Sequence, residues 1–215
     1  MGVTQDFDQA LCWYLKSARQ GDAIGQFDLG AMYWHGHGVP QDLASAAKWF
    51  QLSARQGYAK AQTALGDLYL AGLGVPKDDH VARNWFQKAA ERGDTTAQNK
   101  LGILYLKGSE AERDDSLAAR WFARAAEQGQ HDAQSNLATL YELGRGVARD
   151  LVLAYMWRWL SVQGSEPGNN VQLLELGKRL DNTQIAEAKH RGSEWQAAHL
   201  ETPRLDPQID LLFVH

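Results

Sequence analysis

The stretch ALGDLYLAGLGVPKDDHVARNWFQKAAERG, residues 64–93, reads as one helix, a glycine-rich turn and a second helix. The same pattern recurs at a spacing of 36 residues, which is clearest for the tryptophans at Trp13, Trp49, Trp85, Trp121 and Trp157. That spacing also aligns leucines, tyrosines, glycines, aspartates and alanines. A period of this length is typical of repeat proteins built from helical hairpins. The sequence therefore predicts an all-α solenoid of 36-residue helix-turn-helix repeats.

Each repeat contains a first helix, helix A, and a second, helix B. For the unit that follows Gly21, the predicted buried stripe of helix A is Gly25, Gln26, Leu29, Gly30, Met32 and Tyr33. The predicted buried face of helix B is Ala46, Trp49, Phe50, Ser53 and Ala54. Asp42 is predicted to cap helix B through backbone amides, and Gly57 is predicted to end it.

The recurrent tryptophan is predicted to be a main element of the core. A buried tryptophan removes roughly 150 to 250 Å² from water, which at about 25 cal/mol per Å² is a gross gain of roughly 4 to 6 kcal/mol. We therefore expect Trp85→Ala to lower the free energy of unfolding by several kcal/mol.

The repeat also predicts the domain boundaries. These are a partial N-terminal repeat holding helix B alone at 1–21, repeats at 22–57, 58–93, 94–129 and 130–164, a helical cap at 165–200 and an irregular tail at 201–215. Because residues 1–21 lack helix A, either the native protein starts with a bare helix B or Met1 belongs to a piece of a longer chain. The turn at 109–115 loses its second glycine, which predicts a different loop shape and a solvated charged edge.

Two helices are predicted to cap the last repeat, at about residues 171–180 and 183–198. Their apolar residues are expected to cover the exposed end of the array: Leu173, Leu174, Leu176, Leu180, Ile185, Ala188 and Trp195.

Composition limits the classes of function. A formal charge of −4 supplies no basic surface for nucleic acid, and no apolar run is long enough for direct membrane insertion. Cys12 is the single cysteine and is interpreted as an incidental helix residue that makes no intramolecular disulfide. We expect a cytoplasmic protein if Met1 is the native start, and a periplasmic one if the chain is trimmed from a longer precursor.

The stretch YWHGHGVPQD, residues 33–42, suggests either a metal or phosphate site or an inter-helix turn. Its counterparts YLAGLGVPKD at 69–78 and YELGRGVARD at 141–150 keep the glycines, valine and aspartate but lose both histidines. Phosphate-loop spacing is absent, and two histidines without further ligands make a weak metal site. We interpret the stretch as a turn and predict no metal and no cofactor.

These residues carry a family resemblance. The pattern A-x-x-x-L-G-x-x-Y-x-x-G-x-G-V-x-x-D-x-x-x-A-x-x-W-[FY]-x-x-[AS]-A-x-x-G resembles the Sel-one-like repeat (SLR) family of tetratricopeptide-like solenoids, from Gly2 to about Gly164. The resemblance implies a right-handed α/α superhelix. It also implies a non-enzymatic bacterial adaptor for other proteins, often in the cell envelope, signalling or secretion.

By the same resemblance, helix A lines the concave face, so residues outside its buried stripe are candidates for binding a protein or peptide segment. The candidates are Phe27, Asp28, Ala31, Trp34, His35, Thr63, Asp67, Leu70, Asn99, Ile103, Leu106, Lys107, Ser135, Thr139 and Glu142. These positions vary between repeats, as expected for residues that determine specificity. Alternatively, Phe27 and Trp34 pack against the N-terminal partial repeat.

Enzymatic functions are not favoured, because no repeat combines a nucleophile with a base and an orienting acid. The adaptor prediction includes an immunity-type protein that blocks a toxin, and the expected oligomeric state is a monomer. The alternative is a β-lactam or cell-wall-fragment binder with weak hydrolase activity, as suggested for cysteine-rich relatives. Those relatives carry paired cysteines in each repeat, which this chain lacks.

Overall fold

The computed structural model describes residues 7–108, 113–163 and 170–200, and this part of the chain contains eleven α-helices and no strand. The helices are α1 Phe7–Arg19, α2 Ala23–His35, α3 Leu43–Arg55, α4 Ala59–Ala71, α5 Asp79–Glu91, α6 Thr95–Lys107, α7 Asp115–Glu127, α8 His131–Leu143, α9 Leu151–Ser161, α10 Val171–Gly177 and α11 Asn182–Leu200. The all-α prediction is confirmed. The predicted tail, residues 201–215, and residues 109–112 and 164–169 lie outside the described residues.

The chain divides into two compact units, with α1 to α7 in the first and α8 to α11 in the second. Within the first unit, helix A packs on helix B in the pairs α2 with α3, α4 with α5 and α6 with α7. In the second unit α8 packs on α9, which also contacts α11. This packing of consecutive helix pairs is typical of a solenoid.

Aspartates begin the helices B as predicted. The Asp42 carboxylate accepts hydrogen bonds from the backbone amides of Ala44 at 3.0 Å and Ser45 at 3.1 Å. Its counterparts cap the later helices in the same way: Asp78, Asp114 and Asp150. The Ser45 hydroxyl and backbone amides lower the pKa of Asp42 by stabilising its charged form. The sequence analysis missed a second set of caps on helices A, at Asp22 and Asp94.

Glycines form the turns between helices. Gly36 follows α2 with φ of 71° and Gly57 follows α3 with φ of 90°, both in the left-handed region that other residues avoid. The turn after α6 differs, because Gly108 is extended, with φ of −53° and ψ of 158°. The prediction of a different loop shape concerns residues 109–115, of which 109–112 lie outside the described residues.

In three helix pairs, a glycine of helix A faces a phenylalanine of helix B. A Cβ atom on Gly66 would lie 2.6 Å from the Phe86 ring, and one on Gly102 would lie 2.5 Å from the Phe122 ring. Gly30 faces Phe50 in the same way. All three phenylalanines are buried. Glycine therefore lets an aromatic ring fill the space between the two helices of each pair.

The tryptophan next to this phenylalanine is less buried than predicted. Trp13 is 69 % exposed, and Trp49 and Trp85 are only half-buried. Trp85 lies against the core of α3 and α4, which combines residues of the preceding repeat with residues of its own hairpin. The prediction of five equivalent buried tryptophans was wrong for these three, since only Trp121 and Trp157 are buried.

A repeated glutamine joins successive repeats. The Gln62 side-chain amide donates to the Ala54 carbonyl at 3.0 Å, and Gln98 donates to Ala90 at 3.1 Å. Each bond satisfies a carbonyl near the C-terminus of the preceding helix B. The stripe prediction placed Gln26 in the interior correctly, but it did not assign this role to the glutamines.

The C-terminal helices pack on α9 as a cap. Leu173, Leu176 and Ala188 are buried, and Trp195 meets Trp157 edge-on, with ring centroids 5.8 Å apart. Leu174 was wrongly assigned to this apolar contact, because it is 51 % exposed. The first cap helix ends at Gly177, three residues before the predicted end at Leu180.

Candidate binding face

Not all predicted binding residues lie on the surface of helix A. Thr63 and Asn99 are only 7 % exposed, and the Thr63 hydroxyl donates to the Asp94 carboxylate at 3.1 Å. Their first-repeat counterpart, Phe27, is half-buried against the rings of Phe50 and Tyr58. This position borders the core stripe, so the structure removes Thr63 and Asn99 from the accessible candidates.

Trp34 also contributes to the core, because its ring lies 5.9 Å from that of Phe50. The ring partners of Phe27 and Trp34 lie in α3 and at Tyr58. Packing of these two residues against the N-terminal partial repeat stays a prediction. In α4, Leu70 packs partly against the core formed by α5, α6 and α7. These apolar candidates therefore combine structural packing with partial exposure.

The remaining candidates of the first unit form what we call the candidate binding face. It consists of Asp28, Ala31, His35, Asp67, Leu70, Ile103, Leu106 and Lys107, all half-buried or exposed. Between successive helix pairs, core residues such as Leu29, Leu65 and Leu101 are identical. The aligned face residues Ala31, Asp67 and Ile103 differ in size and charge. Whether this face binds a partner stays a prediction.

Two aspartates on the face have different surroundings. The Asp67 carboxylate lies 2.9 Å from the Lys100 ammonium, an ion pair between α4 and α6. Asp28 makes no ion pair or hydrogen bond with the residues that the structure describes. Burial raises the pKa of Asp28, the nearby Asp22 charge adds to this, and Lys60 opposes it. Asp28 is thus a partly desolvated carboxylate without a cation in contact.

Asp28 lines a pocket of about 230 Å³ between α1 and α2. The other lining residues are Phe7, Ala10, Tyr14, Ala31, Met32, His35 and His37. The rings of Phe7 and His37 stack with centroids 4.7 Å apart, and His37 stacks on His35 at 5.3 Å. The 33–42 stretch is a turn, as predicted, but its histidines also form one wall of this pocket. Sequence reasoning missed the contribution of α1, which arises only when the helices pack.

The second unit places Ser135, Thr139 and Glu142 around an arginine that the sequence analysis did not select. Arg158 is 3 % exposed and donates to the Ser135 hydroxyl and, at 2.8 Å, to the Thr139 hydroxyl. Burial lowers the pKa of Arg158, and Glu142 partly offsets this effect. Glu142 also pairs with Arg179 of the cap. The 36-residue shift contained the signal, because it aligns Arg158 with the core phenylalanines of the other repeats.

The described part of the chain has few features that would indicate metal binding or membrane insertion. It contains no group of three or more histidine, cysteine, aspartate or glutamate residues arranged to hold a metal ion. None of its helices is long and apolar enough to cross a membrane. Cys12 is exposed on α1.

A family model described as the Sel1 repeat matches residues 1–22, 23–58, 59–94, 95–130 and 131–157. Its internal repeats begin one residue after the boundaries predicted from the sequence. A comparison with curated proteins found no match.

Several solved structures are similar to this chain. A protective antigen present in uropathogenic Escherichia coli strains, which displays an SLR fold, is 34 % identical with a TM-score of 0.78. The match covers 93 % of this chain but only 42 % of that protein. A Sel1 repeat protein from Oxalobacter formigenes is 32 % identical, with a TM-score of 0.73 and coverage of 90 % and 81 %. An immunity protein from Pseudomonas aeruginosa, 20 % identical with a TM-score of 0.52 and coverage of 93 % and 75 %, shares the fold.

Proposed function

Because the chain belongs to the Sel1 repeat family, we propose that it is a non-enzymatic adaptor that binds a segment of another protein on the candidate binding face. Sel1 repeats form scaffolds for protein interactions. One observation carries the assignment to this face: core positions such as Leu29, Leu65 and Leu101 keep their identities through the first unit, while one aligned face position does not, with Ala31, Asp67 and Ile103. Packing constrains the first set, and the second is free to match a partner.

We further propose that the adaptor acts in a bacterial envelope, signalling or secretion-related complex, and that an immunity-type role is one form of this function. The P. aeruginosa immunity protein shows that such a role is compatible with this fold. Its 20 % identity supports no transfer of its partner.

Site-directed photo-crosslinking tests the proposed function. A benzophenone amino acid replaces Lys107, which is exposed on the candidate binding face, and in a matched control replaces Lys48, which is exposed on α3. Both positions are on the surface, so neither change disturbs the core. In cells of the source organism, we expect one defined adduct from position 107 and none from position 48. Equal adducts from both positions would contradict the assignment of the face.

The β-lactam alternative has a direct test. The purified chain is incubated with a chromogenic β-lactam beside a heat-denatured control, and we expect equal rates. Turnover by the native chain that Cys12→Ser abolishes would replace the adaptor function with a hydrolase.

A further inference from the structure

The pocket between α1 and α2 has the chemistry of a cation site. We propose that it receives a single arginine side chain of the protein segment that the chain binds, with the guanidinium paired to Asp28 and flanked by aromatic rings. This inference rests on the proposed function and deepens it, because it names one feature of the partner.

Charge is the first argument. Among the described residues that line the pocket, Asp28 is the one carboxylate and none is a lysine or arginine. The described charged and titratable groups around it are Asp22, Lys60, Tyr14, His35 and His37. Asp22 is already bonded to the Ser17 hydroxyl and the Gly25 amide, each at 2.7 Å. Asp28 is therefore left partly desolvated without a counter-ion, and an entering cation would remove this unfavourable state.

The comparison with Asp67 supports this argument. Asp67 occupies the same face and has Lys100 at 2.9 Å. No described lysine or arginine forms an ion pair with Asp28, although Lys60 is near enough to lower its pKa. An external guanidinium would complete at Asp28 the type of pair that the chain already forms at Asp67.

The shape and walls of the pocket select the occupant. A volume of about 230 Å³ is below the ~300 to 1,000 Å³ that holds a drug-sized ligand, so it suits one side chain. Phe7, His37 and His35 form a stacked column, and Tyr14 adds a further ring. A planar guanidinium stacks on such rings while it forms a bidentate pair with a carboxylate, which a lysine ammonium does not do.

Peptide titration of the full chain tests the proposal. The probe is the capped tripeptide acetyl-Gly-Arg-Gly-amide, and the control peptide carries citrulline, which has the same shape without the charge. Amide NMR shifts of the protein are followed during each titration. We expect saturable shifts at Asp28, Ala31 and His35 with a dissociation constant of order 1 mM for the arginine peptide. The citrulline peptide is expected to bind at least about tenfold more weakly.

Two near-isosteric variants separate the pocket from other carboxylates of the chain. Asp28→Asn is expected to weaken arginine-peptide binding at least about tenfold. Asp79→Asn removes an exposed carboxylate of α5, outside the candidate binding face and the pocket, and is expected to leave that binding unchanged. Equal binding of both peptides, or equal binding by the wild type and Asp28→Asn, would overturn the proposal. So would the absence of shifts up to about 20 mM peptide.

The outcome is distinguishable from a failure of the adaptor function. Lys107 lies in α6 and does not line the pocket. A crosslink from position 107 together with no arginine binding would reject only the pocket. Arginine binding without a crosslink from position 107 would reject the wider face and retain the pocket.

Discussion

The three helix pairs of the first unit and the α8–α9 pair of the second fill the space between their two helices with different residues. Where α2, α4 and α6 place a glycine, their partner helices place Phe50, Phe86 and Phe122 against it. In the α8–α9 pair the aligned residues are Ala138 and Arg158. The arginine is buried like the phenylalanines, but hydroxyl groups of Ser135 and Thr139 hold its guanidinium.

This difference shows that the fold requires a filled space at this position but does not require an apolar residue. A buried cation is tolerated because Ser135, Thr139 and Glu142 compensate for part of its desolvation. Those three residues were predicted to bind a partner. In the second unit, Ser135, Thr139 and Glu142 therefore already interact with Arg158 of their own helix pair.

The largest expected effect is at the Gly–Phe pairs. Phe86→Ala deletes a fully buried ring that glycine has made room for, and we expect it to lower the free energy of unfolding by about 3 to 5 kcal/mol. Urea unfolding followed by circular dichroism measures the change. A loss below about 1 kcal/mol would show that the Gly–Phe contact is not central to the core.

The neighbouring tryptophan provides a smaller test of which aromatic residue anchors the repeat. Trp85 is half-buried against the core of α3 and α4, so Trp85→Ala should cost less than Phe86→Ala, about 1 to 3 kcal/mol. Trp13→Ala is the matched control, expected within about 0.5 kcal/mol of the wild type because Trp13 is largely exposed. If Trp85→Ala cost more than Phe86→Ala, the original prediction that tryptophan dominates the core would be restored.

Replacing Ala138 and Arg158 with the glycine and phenylalanine of the other pairs tests whether the α8–α9 pair has the same geometry. Arg158→Phe alone should cost about 1 to 3 kcal/mol, since the Ala138 methyl would crowd the ring as a Cβ on Gly66 would crowd Phe86. Adding Ala138→Gly relieves that contact, although glycine in a helix costs about 1 kcal/mol. We expect a favourable coupling of about 1 kcal/mol or more in a double-mutant cycle. Additive effects would mean that α8 and α9 have more space between them than the other pairs.

The sequence predicted the parts of the fold that depend on local chemistry. Helix ends followed from Asp42 and Gly57 because caps and left-handed turns need particular residues. The sequence did not show whether Trp49 or Phe50 is the core residue, because both are apolar and they occupy neighbouring positions on the same helix. Thr63 and Asn99 were misplaced for a similar reason, since 100° per residue leaves the border of a stripe undefined.

The candidate site was predictable only in part. Asp28, Ala31 and His35 were selected from helix A alone, and the structure places them in one pocket. Phe7 and Tyr14 were missed because they belong to another helix and join the pocket through tertiary packing. Arg158 was missed for a different reason: the stripe argument assumed an apolar residue at every core position. A shift of the repeat by 36 residues identifies such substitutions directly.

The smallest expected effect comes from the difference between the buried charge of Arg158 and the partly buried charge of Asp28. Arg158 has hydroxyl acceptors, whereas Asp28 has no described partner, so ionised Asp28 should reduce stability. Its raised pKa means that the folded state holds a proton more tightly than the unfolded state does.

Asp28→Asn should therefore be slightly more stable than the wild type at neutral pH. This advantage should fade as pH falls through the raised pKa of Asp28 toward the ordinary value for aspartate. Melting temperatures of both proteins across this acidic range measure the difference. A constant difference at every pH, or a less stable variant at neutral pH, would mean that the fold itself compensates the Asp28 charge and would leave no electrostatic reason for a guanidinium to enter the pocket.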